Sequence, residues 1–494
     1  MIKNFKWLLL VSLSFVACNN DDDNSAPVEI PITPGTAVLT KYVALGDSFT
    51  AGYSDGALFV KGQEGSYANI LSQQFAAAGG GAFATPLMLD NIGGFSSGGV
   101  QILPKFPTRL YFNGVAPVYV QGVSGTAIKD RLTGSFNNMG IPGAKCVHLD
   151  VAGYGMANPY FGRFRSSDGA SVLKDATDQN PTFFSLWIGG NDVLGYATTG
   201  GDGTDLITPT ATFDLKYKEL VAELVNKGAK GVVANLAYVN TLPFFTTVPY
   251  NPLTASVLGG GNVAVGNGTI AALNAQLYGP LKQALTAFGA GDRINLLSTT
   301  AANPLLISDE KLANLSDQLT AAFTPMLGAA NAAAYGQVFG QARQATKADL
   351  VLLTTKGVIA GATGYPAPLD KFGITFPLLD KHMLIAAEIS EVKTATDAYN
   401  VTIATTAESK GLAFVDTRTT MFQLSTTGIR FGNFQMTSSY VTGGAFSLDG
   451  VHPSARGYAL IANLFVNAIN SKYTATLRTV DLAQYPIQYP AVIQ

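Results

Sequence analysis

From residue 41 onward, short and mostly apolar runs alternate with longer stretches whose apolar positions recur every three or four residues. The short runs fall at 42–45 (YVAL), 117–121 (PVYVQ), 182–188 (TFFSLWI), 231–237 (GVVANLA) and 412–416 (LAFVD). Runs of this length, continuous rather than alternating, predict strands covered on both faces. The longer stretches predict helices. "FDLKYKELVAELVNKGAKG", from Phe213, carries Leu215, Leu220, Val221 and Leu224 and ends at Gly228. A glycine in that place closes a helix well, because it adopts the left-handed conformation at no steric cost. "SYANILSQQFAAAG" from Ser66, "HMLIAAEISEVKTATDAYNVTIATTAESKG" from His382 and "SARGYALIANLFVNAI" from Ser454 read the same way. Strand and helix in alternation predict a parallel sheet with helices on both faces.

The rhythm breaks between 249 and 367. That segment opens with "LGGGNVAVGNG", read as a flexible loop because it lacks the lysine of a phosphate-binding loop. It continues through an Ala-rich helical region, "DQLTAAFTPMLGAANAAAYGQVFGQARQA", to "ADLVLLT", a candidate strand. It reads as a large, partly helical insertion. The chain then divides into a leader (1–17), a polar tether (18–37), a first domain part (38–248), the insertion (249–367), a second domain part (368–472) and a tail (473–494). The tail "DLAQYPIQYPAVIQ" reads as an extended arm.

Composition narrows the function classes. Apolar residues make up 47% of the 494 positions, enough for a large core. Lys and Arg number 31 against 33 Asp and Glu, so nothing suggests the basic surface that nucleic-acid binding requires. Beyond the N-terminus no apolar run is long enough to span a bilayer.

The N-terminus itself reads as a targeting segment. Lys3 and Lys6 precede an apolar stretch that ends "SFVAC". Ala17 immediately before Cys18 resembles a bacterial lipobox, although Phe15 stands where Leu is commoner. The acidic run Asp21, Asp22, Asp23 resembles the surface-export signal of Bacteroidetes lipoproteins. The expectation is cleavage before Cys18, lipidation of that cysteine, and an exported protein anchored to the outer membrane. Cys146 is then left without a partner and reads as a small buried residue.

Among polar residues, His148, His382 and His452 form no metal-ligand spacing with one another or with a cysteine, so no metal is expected. His382 reads as the start of a long helix with a surface or capping role. His452 sits in "FSLDGVHPSARGY", three residues after Asp449 and just before Pro453. Proline holds the preceding residue extended and favours a helix start. Asp449 is near enough to accept from one ring nitrogen and leave the other as a base. A capping aspartate beside an incidental histidine is the other reading. "FNNMGIPGAK" places Asn138 and Gly143 in a turn, and "SLWIGGNDVLG" places Gly189, Asn191 and Asp192 at a strand end. Each is ordinary turn chemistry taken alone.

Taken in order, Gly-Asp-Ser at 46–48, Asn-Met-Gly-Ile-Pro-Gly at 138–143, Gly-x-Asn-Asp at 189–192 and Asp-x-x-His-Pro at 449–453 resemble the four signature blocks of the SGNH (GDSL-type) ester hydrolases. The resemblance covers about 41–240 and 366–472. It implies a flavodoxin-like three-layer α/β/α fold with the blocks at the carboxyl ends of a parallel sheet. It implies Ser48 as nucleophile, His452 as general base and acid, and Asp449 as its orienting carboxylate. The oxyanion donors it implies are Ser48 N–H, Gly143 and Asn191. Asp47 and Asp192 match motif positions as loop-holding residues, and Phe49 replaces the family's Leu. No metal or organic cofactor is implied.

The expected partner is a small-molecule, lipid or glycan ester, with membrane contact through the lipid anchor. A lipase or carboxylesterase is the leading expectation, with the apolar insertion as a lid or acyl groove. A carbohydrate acetylesterase is the second, given 20 tyrosines and 28 phenylalanines for sugar stacking. An inactive glycan- or partner-binding lipoprotein is the reading from another class.

Overall fold

The computed structural model describes residues 31–493; the leader and Cys18 lie outside the described residues. Five strands form the central sheet: β1 (Tyr42–Gly46), β2 (Asn138–Gly140), β3 (Phe183–Trp187), β4 (Lys230–Ala234) and β5 (Ala413–Val415). They pair in the order β2-β1-β3-β4-β5, every pair parallel. This is the doubly wound flavodoxin-type order, and the winding reverses between β1 and β3. Leu45 lies opposite Met139 on one side and Leu186 on the other, so three adjacent strand ends are brought level.

The helices that flank this sheet or stand at the ends of its strands include α1 (Ser48–Ala51), α2 (Tyr67–Ala77), α3 (Asn191–Thr198), α4 (Thr210–Val225), α5 (Ala386–Ser409), α6 (Thr417–Thr426) and α7 (Ala455–Tyr473). α2 and α7 pack together on one face of the sheet, α4 and α5 on the other. Strand alternation sorts the side chains between the layers. Phe183 and Trp187 meet Phe75 of α2 and Phe465 of α7. On the other face Phe213 of α4 stacks on Tyr399 of α5 with ring centroids 4.0 Å apart. The buried stripe of α4 is Phe213, Tyr217, Leu220, Val221 and Leu224, while Leu215 is exposed, so the two aromatics rather than that leucine set the face.

The structure corrects several expectations. The 117–121 run is not in the central sheet: Pro117–Tyr119 pairs antiparallel with Leu110–Phe112 in a separate hairpin. Its place is taken by Asn138–Gly140, expected as a turn. Its three residues carry no β-branched side chain, so pattern alone cannot mark it, and it is a strand because β1 supplies its hydrogen bonds. His382 does not begin the long helix. It is buried in a 3-10 turn, Asp380–His382, where its Nδ1 accepts the Leu379 N–H at 3.1 Å, and α5 starts at Ala386.

Residues 249–367 contribute most of one further apolar cluster, around Leu277, Leu281, Leu319 and Phe339, and half of the buried residues of another, around Leu253, Ile307 and Val351. The glycine-rich stretch is only partly a loop. Asn262 caps the helix Val263–Leu273, its side chain accepting from Ala264 and Val265 N–H at 3.0 and 3.2 Å. The Ala-rich region is two helices, Ser316–Leu327 and Ala329–Phe339, divided at Gly328. "ADLVLLT" supplies the two-residue strand Leu350–Val351, paired with Met383–Leu384. The C-terminal arm is docked. The buried Arg109 donates from Nη2 to the carbonyls of Pro490 and Ala491, and Tyr489 donates to Lys61 O at 3.1 Å.

Candidate active site

The sheet ends at Gly46 and the chain turns at once into α1. Asp47 is the cap: its Oδ1 accepts the Phe49 N–H at 3.0 Å. Capping therefore falls to Asp47, and the Ser48 hydroxyl is free for another partner. α1 sits close over β2, where a Cβ on Gly140 would lie 2.2 Å from Ala51 N. Asn138 Nδ2 reinforces the approach by donating to Thr50 O at 3.0 Å.

The partner of Ser48 comes from the far end of the chain. Ser48 Oγ lies 2.8 Å from His452 Nε2, and His452 Nδ1 lies 2.9 Å from Asp449 Oδ2. The loop that carries them is pinned by its own sequence. Asp449 Oδ1 accepts the N–H groups of Val451 and His452 at 2.9 and 2.8 Å. Oδ2 also accepts the Gly56 N–H at 2.9 Å. Pro453 stands one position before the helix cap Ser454, whose side chain accepts from Gly457 N–H, so α7 begins directly behind the imidazole. The ring lies between Phe49 and Tyr53, at 5.2 and 4.7 Å between centroids.

Burial alone would raise the Asp449 carboxyl. The His452 ring and the backbone N–H groups of His452 and Val451 outweigh it and hold the group below the usual carboxylate range. An ionised Asp449 keeps the proton of His452 on Nδ1 and turns the Nε2 lone pair toward the serine hydroxyl.

The Gly143 and Asn191 segments meet at the ends of β2 and β3. Residues 141–144 form a turn closed by Ala144 N–H to Ile141 O at 3.0 Å, with Pro142 second and Gly143 third at φ +79°. That is a type II turn, whose third position requires a positive φ and hence glycine. Asn191, the first residue of α3, donates from Nδ2 to Ala144 O at 3.0 Å, which ties the turn to the helix start and leaves a second amide hydrogen. The N–H groups of Ser48 and Gly143 donate to no acceptor among the described residues. Asp192 is buried below them and accepts the Cys146 N–H at 2.8 Å; burial pushes its carboxyl up to about 6. Asp47 is raised to about 7, again by burial, against the pull of the Phe49 N–H. Cys146 is buried and its thiol pushed well up by that burial, so it is not poised to react. His148 accepts the Lys145 N–H on Nδ1 and stacks on Tyr154, apart from the serine.

Next to the serine turn lies a narrow apolar pocket whose lining includes the neighbours of Ser48 and His452 but neither of those two residues. The residues flanking Ser48 (Asp47, Phe49) and His452 (Val451, Pro453) line one side. Trp187, Val193, Leu236, Met421, Leu424 and Leu464 are among its other walls. Its other walls come mostly from α3, α6, α7 and the segment after β4, whereas segment 249–367 lines a separate apolar pocket with Pro252, Leu253, Val257 and Leu273.

Sequence reasoning did not find Tyr53, whose ring packs on His452, or Gly56, whose N–H completes the Asp449 shell. Gly56 lies 393 positions from Asp449, and no local signal links them.

No curated protein sequence matches the chain. A solved structure of LAE5, an alpha/beta hydrolase enzyme from the metagenome of Lake Arreo, Spain, is 12% identical over 88% of this chain and 96% of that one. The TM-score between the two is 0.31. A family model has firmer footing: the one described as GDSL-like Lipase/Acylhydrolase matches residues 42–465, from the first residue of β1 into α7. With that span containing the sheet, the serine turn and the Asp449–His452 loop, the chain belongs to the GDSL-like lipase/acylhydrolase family.

Proposed function

We propose that this chain is a serine ester hydrolase that cleaves acyl esters through a covalent acyl-enzyme. The observation that carries the reading is the relay from Ser48 Oγ to His452 Nε2 at 2.8 Å and from His452 Nδ1 to Asp449 at 2.9 Å. His452 takes the hydroxyl proton as Ser48 Oγ attacks the ester carbonyl. Ser48 N–H, Gly143 N–H and the Asn191 amide are assigned to the resulting oxyanion. His452 then protonates the departing alkoxide, and water activated by the same ring releases the acid.

The pocket beside the serine turn favours acyl chains. Its walls are aliphatic and aromatic, which suits an alkyl chain better than a sugar. Lipase or carboxylesterase activity is therefore placed ahead of carbohydrate deacetylation. Segment 249–367 is assigned as a subdomain that buttresses the site: Leu353 Cδ2 lies 3.1 Å from where a Cβ on Gly450 would sit, next to Asp449. The lipobox-like "SFVAC" supports export and anchoring through Cys18; mass spectrometry of the mature N-terminus should find an acylated Cys18, and an unmodified one removes this part of the proposal.

A fluorophosphonate probe should label the wild type and not Ser48→Ala. p-Nitrophenyl octanoate should be turned over faster than the acetate, and acetylated xylan slowly. Turnover restricted to acetyl esters moves the reading to polysaccharide deacetylation. Absence of labelling favours a binding protein on a hydrolase fold.

A further inference from the structure

Away from the serine, three carboxylates from distant parts of the chain converge. One oxygen each of Glu310, Asp380 and Glu388 lies within 4.8 Å of the others. Glu310 is exposed on the loop after the strand Leu306–Ser308, Asp380 opens the 3-10 turn before α5, and Glu388 is in the first turn of α5. Glu388 is 1% exposed. Its Oε2 accepts the Ile385 N–H at 2.8 Å, but its Oε1 has no hydrogen-bond partner, and neither has the buried Asp380 Oδ1. The Gly201 backbone packs closely against Glu388, since a Cβ there would lie 2.2 Å from Oε1 and 3.1 Å from Tyr196 Oη. The adjacent cation, Lys311, reaches the exposed carboxylates instead, 3.3 Å from Glu310 and 3.9 Å from Glu391.

Buried carboxylate oxygens are normally paired with donors or a metal. We propose that Glu310, Asp380 and Glu388 form a binding site for a divalent calcium ion. An all-oxygen donor set selects a hard cation. Ligands from separate segments, one of them exposed, suit the flexible shell of Ca²⁺ better than the strict octahedron of Mg²⁺. Because Glu310 belongs to the inserted segment and Glu388 to a helix of the α/β/α body, the ion staples one to the other. The histidine and cysteine spacing gave no hint of this site, since its ligands are acidic and far apart in sequence.

The test uses full-length protein stripped with a chelator and titrated with CaCl₂, in parallel with MgCl₂, by calorimetry and thermal unfolding. One saturable Ca²⁺ site is expected, with half-saturation on the order of 10⁻⁴ M and a Tm raised by several degrees in excess Ca²⁺. Glu388→Gln and Glu310→Gln should each weaken Ca²⁺ binding by about tenfold or more, with the metal-free Tm little changed. If Glu388→Gln fails to fold, the exposed Glu310→Gln decides alone. No saturable Ca²⁺ binding, wild-type affinity in the folded variants, or tighter binding of Mg²⁺ would each overturn the proposal.

Discussion

Asp449 and Glu388 are carboxylates turned inward in two parts of the molecule, one beside the serine and one where the inserted segment meets α5. Asp449 accepts from three backbone N–H groups and the His452 ring, and is held below the usual range. Glu388 accepts from one backbone N–H and is raised to about 8. Asp55, near Asp449, resembles Glu388: its carboxylate accepts the Leu448 N–H at 2.9 Å, and burial pushes it to about 7. Burial is common to all three, and the number of donors aimed at each decides its charge. The loop 449–453 folds its own N–H groups onto its aspartate, so the charge next to His452 is secured locally.

The largest expected effect separates the reacting group from that charge. Ser48→Ala should lower kcat/KM by about 10⁴-fold or more while leaving urea stability within about 0.5 kcal/mol. Asp449→Asn should lower activity by about 10³-fold and stability too, by about 1–3 kcal/mol, because an amide turns donors toward N–H groups that need an acceptor. Equal stability in the two variants would break the contrast between Asp449 and its neighbours. Asn191→Ala should cost about 10²-fold, chiefly in kcat, with a folded protein by circular dichroism.

The smallest effect probes Asp55. Its folded pKa of about 7 lies above the unfolded value of about 3.9. Between those values the folded state holds a proton that the unfolded state has lost, so this group makes stability fall as pH rises from about 4 to about 7, then level off. Asp55→Asn keeps the acceptor for Leu448 and tolerates the positive φ of 52° at this position. Relative to wild type it should be more stable at pH 8 than at pH 5 by about 1–3 kcal/mol, read from urea unfolding. A difference independent of pH would place Asp55 with Asp449, as an ionised carboxylate at both values.

Strands 42–45, 182–188, 231–237 and 412–416 were legible because a strand buried on both faces must be apolar along its length. The strand Asn138–Gly140 was not, since β1 rather than its own side chains makes it one. The 117–121 run misled for the opposite reason: its pattern suits a strand, but proline and a nearby turn gave it a hairpin partner. His382 fell to the same limit, as a helix start read from pattern is uncertain by a few residues.

What the sequence determined by itself was the alternation of layers, the order of the four polar blocks, and the residue types available for acyl chemistry. These depend on period and on local turn chemistry, which a few neighbouring residues set. Tertiary structure alone decided that Ser48 and His452, 404 positions apart, stand 2.8 Å from each other. It also decided that the apolar pocket beside the serine turn is built mostly by helices of the body, and that Glu310, Asp380 and Glu388 share a corner. Contacts between distant segments follow from how layers pack, and packing is a property of the whole chain rather than of any window in it.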